Sequence, residues 1–89
     1  MASRVTILGS TGSIGRQALD VIRRAPGEFA IEALAGHRNA ELLIEQAREF
    51  RPRFVAVGDE TTAETVREAL PGVEIGAGPA AAAEAAARK

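Results

Sequence analysis

Apolar positions along the chain fall into two alternating spacings. Val5–Leu8, Phe29–Leu34 and Phe54–Val57 are short aliphatic or β-branched runs, each followed by a glycine-bearing turn. Such runs predict strands buried on both faces, as parallel strands are. In the second run, strict alternation places Phe29, Ile31 and Ala33 on one face and Leu34 on the other. Between the runs the apolar period becomes helical. Ile14, Ala18, Val21 and Ile22 predict a stripe on a helix over Ser13–Arg24, stopped by Pro26-Gly27. Leu42, Leu43, Ala47 and Phe50 predict a second helix from Ala40 to Phe50, with Asn39 as its N-cap.

A third helix is lined by Ala63, Val66 and Leu70. Thr61 and Glu64 match a capping box at its start. Val73–Ile75 predicts a short fourth strand and Gly76–Pro79 a turn. Ala80–Arg88 is an alanine-rich helix behind Pro79, with good propensity but little side chain to bury. The order β-α-β-α-β-α-β-α, joined by short loops, predicts an α/β fold: a parallel sheet with right-handed crossovers.

Length and charge narrow the classes. With 89 residues the chain has room for one small domain or part of a larger one. It has no Cys, which fits a reducing compartment. A net charge of −1 and only three Phe give no basis for nucleic-acid or anionic-membrane binding. No apolar run is long enough to span a bilayer, and nothing resembles a secretory leader, so a cytoplasmic location is the expectation.

The chemistry concentrates at Gly9-x-x-Gly12-x-x-Gly15, where the first strand would hand over to the first helix. Glycines let a backbone turn tightly and approach a pyrophosphate closely. The free N–H groups of the following helix then face the anion. The hydroxyls of Ser10, Thr11 and Ser13 can add donors. A tight strand-to-helix connection with no ligand is the plainer alternative, with Thr11 or Ser13 capping the helix.

Cofactor choice rests on the loop after the second strand, Gly36-His37-Arg38-Asn39. Sites for NAD place Asp or Glu here to hold the ribose hydroxyls; this loop has no acid. Arg38 can fork onto a phosphate, and Asn39 and His37 can donate to it. Taken singly each is an ordinary solvated loop residue; together they favour NADP over NAD. Glu32 lies inside the strand, too early to meet a ribose. Asp59 and Glu60 suit helix capping. Neither a catalytic constellation nor a metal-ligand cluster is present.

The string Thr6-Ile7-Leu8-Gly9-Ser10-Thr11-Gly12-Ser13-Ile14-Gly15, with Leu19-Asp20-Val21 and Arg38-Asn39-Ala40-Glu41-Leu42-Leu43, resembles the N-terminal region of 1-deoxy-D-xylulose 5-phosphate reductoisomerases. The likeness runs on through Arg51-Pro52-Arg53. It implies a Rossmann-type NADPH-binding domain of an isoprenoid-pathway enzyme. That enzyme converts 1-deoxy-D-xylulose 5-phosphate to 2-C-methyl-D-erythritol 4-phosphate with NADPH and a divalent metal, Mg or Mn.

By the family pattern, Gly9, Ser10, Thr11, Gly12, Ser13 and Ile14 would meet the pyrophosphate side. Gly36, His37, Arg38 and Asn39 would hold the 2′-phosphate. The resemblance also implies that the metal ligands, the catalytic residues and the sugar-phosphate site belong to later segments. The chain would then be an incomplete nucleotide domain, inactive alone, from an enzyme that is usually a homodimer. Two alternatives remain at this point. One is an NADP domain of a semialdehyde dehydrogenase-like or atypical short-chain dehydrogenase; the other is a stand-alone nucleotide-binding module.

Overall fold

The computed structural model describes residues 3–88. Four strands alternate with four helices: β1 Ser3–Leu8, α1 Ser13–Arg23, β2 Phe29–Gly36, α2 Ala40–Phe50, β3 Phe54–Val57, α3 Glu60–Ala69, β4 Glu74–Ala77 and α4 Pro79–Ala87. The strands form one parallel sheet, as the alternation of periods predicts, and their order in it is β1-β2-β3-β4. The fourth strand begins and ends later than predicted, taking in Gly76 and Ala77.

The helices divide between the two faces. Leu19 of α1, Leu43 and Ala47 of α2, and Ala63 and Val66 of α3 pack with Ile31, Leu34, Val55 and Val57 in the larger core. Ala33, Ala35, Phe54 and Ala56 face the other way, against Ala81 and Ala85 of α4. This second layer is built almost wholly from alanine. The small side chains that made α4 look poor in burial let its backbone lie close to the sheet. Phe54 is its one aromatic member, and the Arg88 guanidinium lies over its ring, 4.7 Å from the centroid.

Two expectations of facing are corrected. In β2, Val5 pairs with Ile31 but Thr6 pairs with Ala33, so Glu32 is an extra, bulged residue. Beyond it the alternation reverses: Ala33 faces α4, and Ile31 and Leu34 share the larger core. In α1 the sheet-facing residues are Gly15 and Leu19, with Ile22 partly buried. Ile14 and Val21 stand 81% and 62% exposed. Gly15 has no side chain, so that side of the helix lies directly on the backbone of the Gly9–Ser10 turn, and its neighbours face outward.

The start of α3 is also corrected. Asp59, not Thr61, is the N-cap. Its carboxylate accepts from the Thr62 backbone N–H at 2.9 Å and from the Thr62 hydroxyl at 2.6 Å. Those two bonds hold its pKa below the ordinary carboxylate value, with smaller help from the charges of Arg38 and His37.

Candidate functional site: two loops at the carboxyl end of the sheet

The glycine turn forms because β1 ends at Leu8 and Gly9 takes φ +65°, a left-handed conformation that favours glycine. The Gly12 N–H closes the turn on the Gly9 carbonyl at 3.0 Å. The Gly12 carbonyl then accepts the first helical bond, from the Arg16 N–H at 2.9 Å. Gly12 is the N-cap of α1 and brings no side-chain cap. The helix therefore opens with uncapped amides beside exposed Gly12, Ser13 and Ile14. A methyl group on Gly15 would stand 2.6 Å from the Ser10 Cα, so α1 is seated directly against the turn.

Ser10 does not join that exposed set. It is fully buried, and its hydroxyl has no hydrogen-bond partner among the described residues. Its backbone instead anchors the turn: the Ser10 N–H donates to the Ala35 carbonyl at 2.8 Å, and its carbonyl accepts from Gln46 Nε2 at 2.8 Å. The hydroxyl expected as a phosphate donor thus lies inside the fold rather than on the exposed rim of the turn. Thr11 is half-buried, its methyl group lying over Gly36, 3.5 Å from where a Cβ there would stand.

The second loop thus adjoins the first. His37, Arg38 and Asn39 are exposed and Gly36 is half-buried. Asn39 Oδ1 accepts from the Leu42 N–H at 3.1 Å, which caps α2 and leaves the Nδ2 hydrogens outside that bond. The His37 ring packs against Gly58, and the loop is tied to the end of β3 by Gly58 N–H to Gly36 carbonyl, 2.9 Å, and Asp59 N–H to His37 carbonyl, 3.2 Å. All of Gly9, Ser10, Thr11, Gly12, Ser13, Ile14 and Gly36–Asn39 therefore gather at the carboxyl ends of β1 and β2. There an open parallel sheet presents its binding crevice.

Glu32 is nowhere near this edge. Its side chain, 6% exposed, accepts from Arg88 Nε at 3.0 Å and pairs with Arg4 at 3.4 Å and Arg53 at 3.9 Å, by the amino ends of the strands. The bond from Arg88 leads in holding its pKa below the ordinary value. A separate groove between α1 and α2 is lined by Arg16, Gln17, Asp20, Glu45 and Glu49 and crossed by the Arg23–Glu49 ion pair, 2.8 Å at its longer contact. Among the described residues no three His, Cys, Asp or Glu side chains converge as metal ligands.

Residue-by-residue reading of the sequence did not single out Gln46. Its signal is a polar residue three positions after Leu43, inside the buried stripe of α2.

The chain is similar to known proteins over nearly its whole length. Residues 5–89 match the family model of 1-deoxy-D-xylulose 5-phosphate reductoisomerase. The reductoisomerase of Anaeromyxobacter sp. (strain K) is 59% identical over 80 residues, 89% of this chain and 20% of that protein. The Chlamydia muridarum enzyme is 56% identical over 73 residues, 81% of this chain and 19% of its own. The chain thus spans about a fifth of the length of the curated relatives it matches.

Among solved structures, the Zymomonas mobilis reductoisomerase in complex with NADPH superposes with a TM-score of 0.91 at 35% identity, over 97% of this chain and 23% of that one. A reductoisomerase in complex with NADPH, fosmidomycin and magnesium gives 0.77 at 31% identity, over 88% and 20%. None of these matches favours the semialdehyde or short-chain dehydrogenase alternatives. The glycine turn, the acid-free loop beside it and the matched length place the chain in the 1-deoxy-D-xylulose 5-phosphate reductoisomerase family.

Proposed function

We propose that residues 1–89 are the NADPH-binding N-terminal segment of an enzyme that converts 1-deoxy-D-xylulose 5-phosphate to 2-C-methyl-D-erythritol 4-phosphate. One observation carries the reading: an acid-free loop bearing Arg38 is joined through Ser10 N–H and Ala35 carbonyl, 2.8 Å, to a glycine turn with uncapped amides. The chain's residues fit the cofactor's two anionic parts. The amides of Thr11, Ser13 and Ile14 donate to the pyrophosphate, where the helix dipole adds to them; the Gly12 N–H is already engaged in closing the turn. Arg38 forks onto the 2′-phosphate, with Asn39 Nδ2 and His37 as further donors. Ile14, exposed at the mouth of the turn, offers the cofactor an apolar contact.

NADPH supplies the hydride. The chain's share of the chemistry is to bind and orient; the sugar-phosphate site, the divalent metal and the proton-transfer groups belong to the remainder of the full-length enzyme. We read that enzyme as a cytoplasmic homodimer, with this segment alone holding at most part of the dinucleotide and not turning over. Titration with NADPH and NADH, followed by nicotinamide fluorescence, tests the cofactor reading. Saturable binding with NADPH the tighter is expected; a folded chain that prefers NADH overturns it. Rescue by the full-length gene of a strain lacking the reductoisomerase tests the enzyme assignment.

A further inference from the structure

Gln46 is 5% exposed on the sheet-facing side of α2, and its Oε1 is buried without a partner among the described residues. A methionine of similar volume would fill the place without that cost. The amide earns its position through its other end. Nε2 donates to the Ser10 carbonyl at 2.8 Å, 36 residues away in sequence. The reverse amide orientation would set two oxygens against each other, so the donor is fixed by chemistry.

The consequence lies in the next peptide group. The Ser10 carbonyl and the Thr11 N–H share one planar trans unit and point in opposite directions. A carbonyl held inward by buried Gln46 therefore holds the Thr11 N–H outward. That N–H has no partner among the described residues. The Ser10 N–H is pinned as well, to Ala35. Both backbone groups of Ser10 are thus held by β2 and α2, the two elements that flank the Arg38 loop.

We propose that Gln46 is a positioning residue for the cofactor cradle: it aims the Thr11 amide at the pyrophosphate and locks the glycine turn to the unit that reads the 2′-phosphate. The proposal rests on the NADPH reading above. Gln46 itself touches no cofactor. Its loss acts on the pyrophosphate end and leaves Arg38 in place.

The test compares the wild-type chain with Gln46→Met and Gln46→Glu, each checked for folding by circular dichroism. The probes are NADPH, NADH and 2′-AMP, which carries the 2′-phosphate but no pyrophosphate. Both variants should weaken NADPH and NADH alike by about tenfold, the value of one well-placed hydrogen bond. Binding of 2′-AMP should stay within about twofold of wild type.

A folded variant that binds NADPH as wild type does overturns the proposal, and so does an equal loss for 2′-AMP. A second measurement needs no variant: in the wild-type chain the Thr11 amide resonance should shift with NADPH and stay with 2′-AMP. A resonance unmoved by bound NADPH also overturns it. A folded wild-type chain that binds neither dinucleotide removes the cofactor reading itself, and this inference with it. Normal wild-type binding with an indifferent Gln46 removes only the inference.

Discussion

Gly15 and Gly9 meet where the first helix is seated on its own turn. A methyl group on Gly15 would stand well under 3.0 Å from the Gly9 carbonyl oxygen, and that oxygen also accepts the Gly12 N–H that closes the turn. The obstacle is backbone on both sides, so no rotamer change can relieve it. The third glycine of the motif is therefore required by packing, while the first is required by its positive φ.

Gly15→Ala should consequently push α1 off the turn. We expect a loss of about 1–3 kcal/mol, the usual cost of overpacking, together with weakened NADPH binding. Thermal unfolding and a fluorescence titration measure the two effects. A variant with wild-type stability and binding would contradict the close approach.

Arg38→Ala should weaken NADPH by about tenfold or more while changing NADH much less, because only NADPH carries the phosphate that a guanidinium would hold. Parallel titrations read the ratio. Equal losses for the two cofactors would assign Arg38 to something other than the 2′-phosphate.

Glu32 predicts an acid-sensitive component of stability. Its pKa is lowered in the folded chain, mainly by the hydrogen bond from Arg88, from an ordinary value of 4.5. A depressed carboxylate pKa stabilises the fold fully above the unfolded-state value. The contribution is lost as pH falls through the folded-state value. Glu49, held by Arg23, and Asp59 share this sign, so the variant and not the raw curve isolates Glu32. Glu32→Gln should lower the melting temperature at neutral pH, and its curve should converge with wild type in acid. A constant gap at every pH would count against the ion pairs as the cause.

Ala85→Leu tests the alanine layer. Ala85 is fully buried against β-sheet alanines, and a larger side chain has nowhere to go. Destabilisation of about 1–3 kcal/mol is expected by thermal or urea unfolding. A neutral result would mean that α4 does not lie closely on the sheet.

Local sequence determined the element order because hydrophobic period and turn chemistry are local. Gly9, Asn39, Pro26-Gly27 and Pro79 start or stop elements through their own backbone preferences, with no distant partner needed. The same holds for the placement of the glycine turn and the Arg38 loop, each at the end of a readable strand. The family resemblance was legible for the same reason: its residues form contiguous strings.

Only tertiary structure decided which way side chains point. The bulge at Glu32 is set by pairing with β1, and it reverses the faces of the residues that follow. Ile14 and Val21 look like core on a helical wheel, yet Gly15 and Leu19 face the sheet because the turn admits a helix there only without a side chain. Ser10 looks like a ligand hydroxyl, and packing against β2 and α2 buries it. Gln46 falls inside the apolar stripe of α2, but the carbonyl that its amide serves lies 36 positions earlier and is brought to it only by the fold. The bulge, the burial of Ser10 and the Gln46 bond depend on contacts between segments far apart in the chain, and the facing of α1 on the close approach of Gly15 to its own turn; hydrophobic periodicity reports neither.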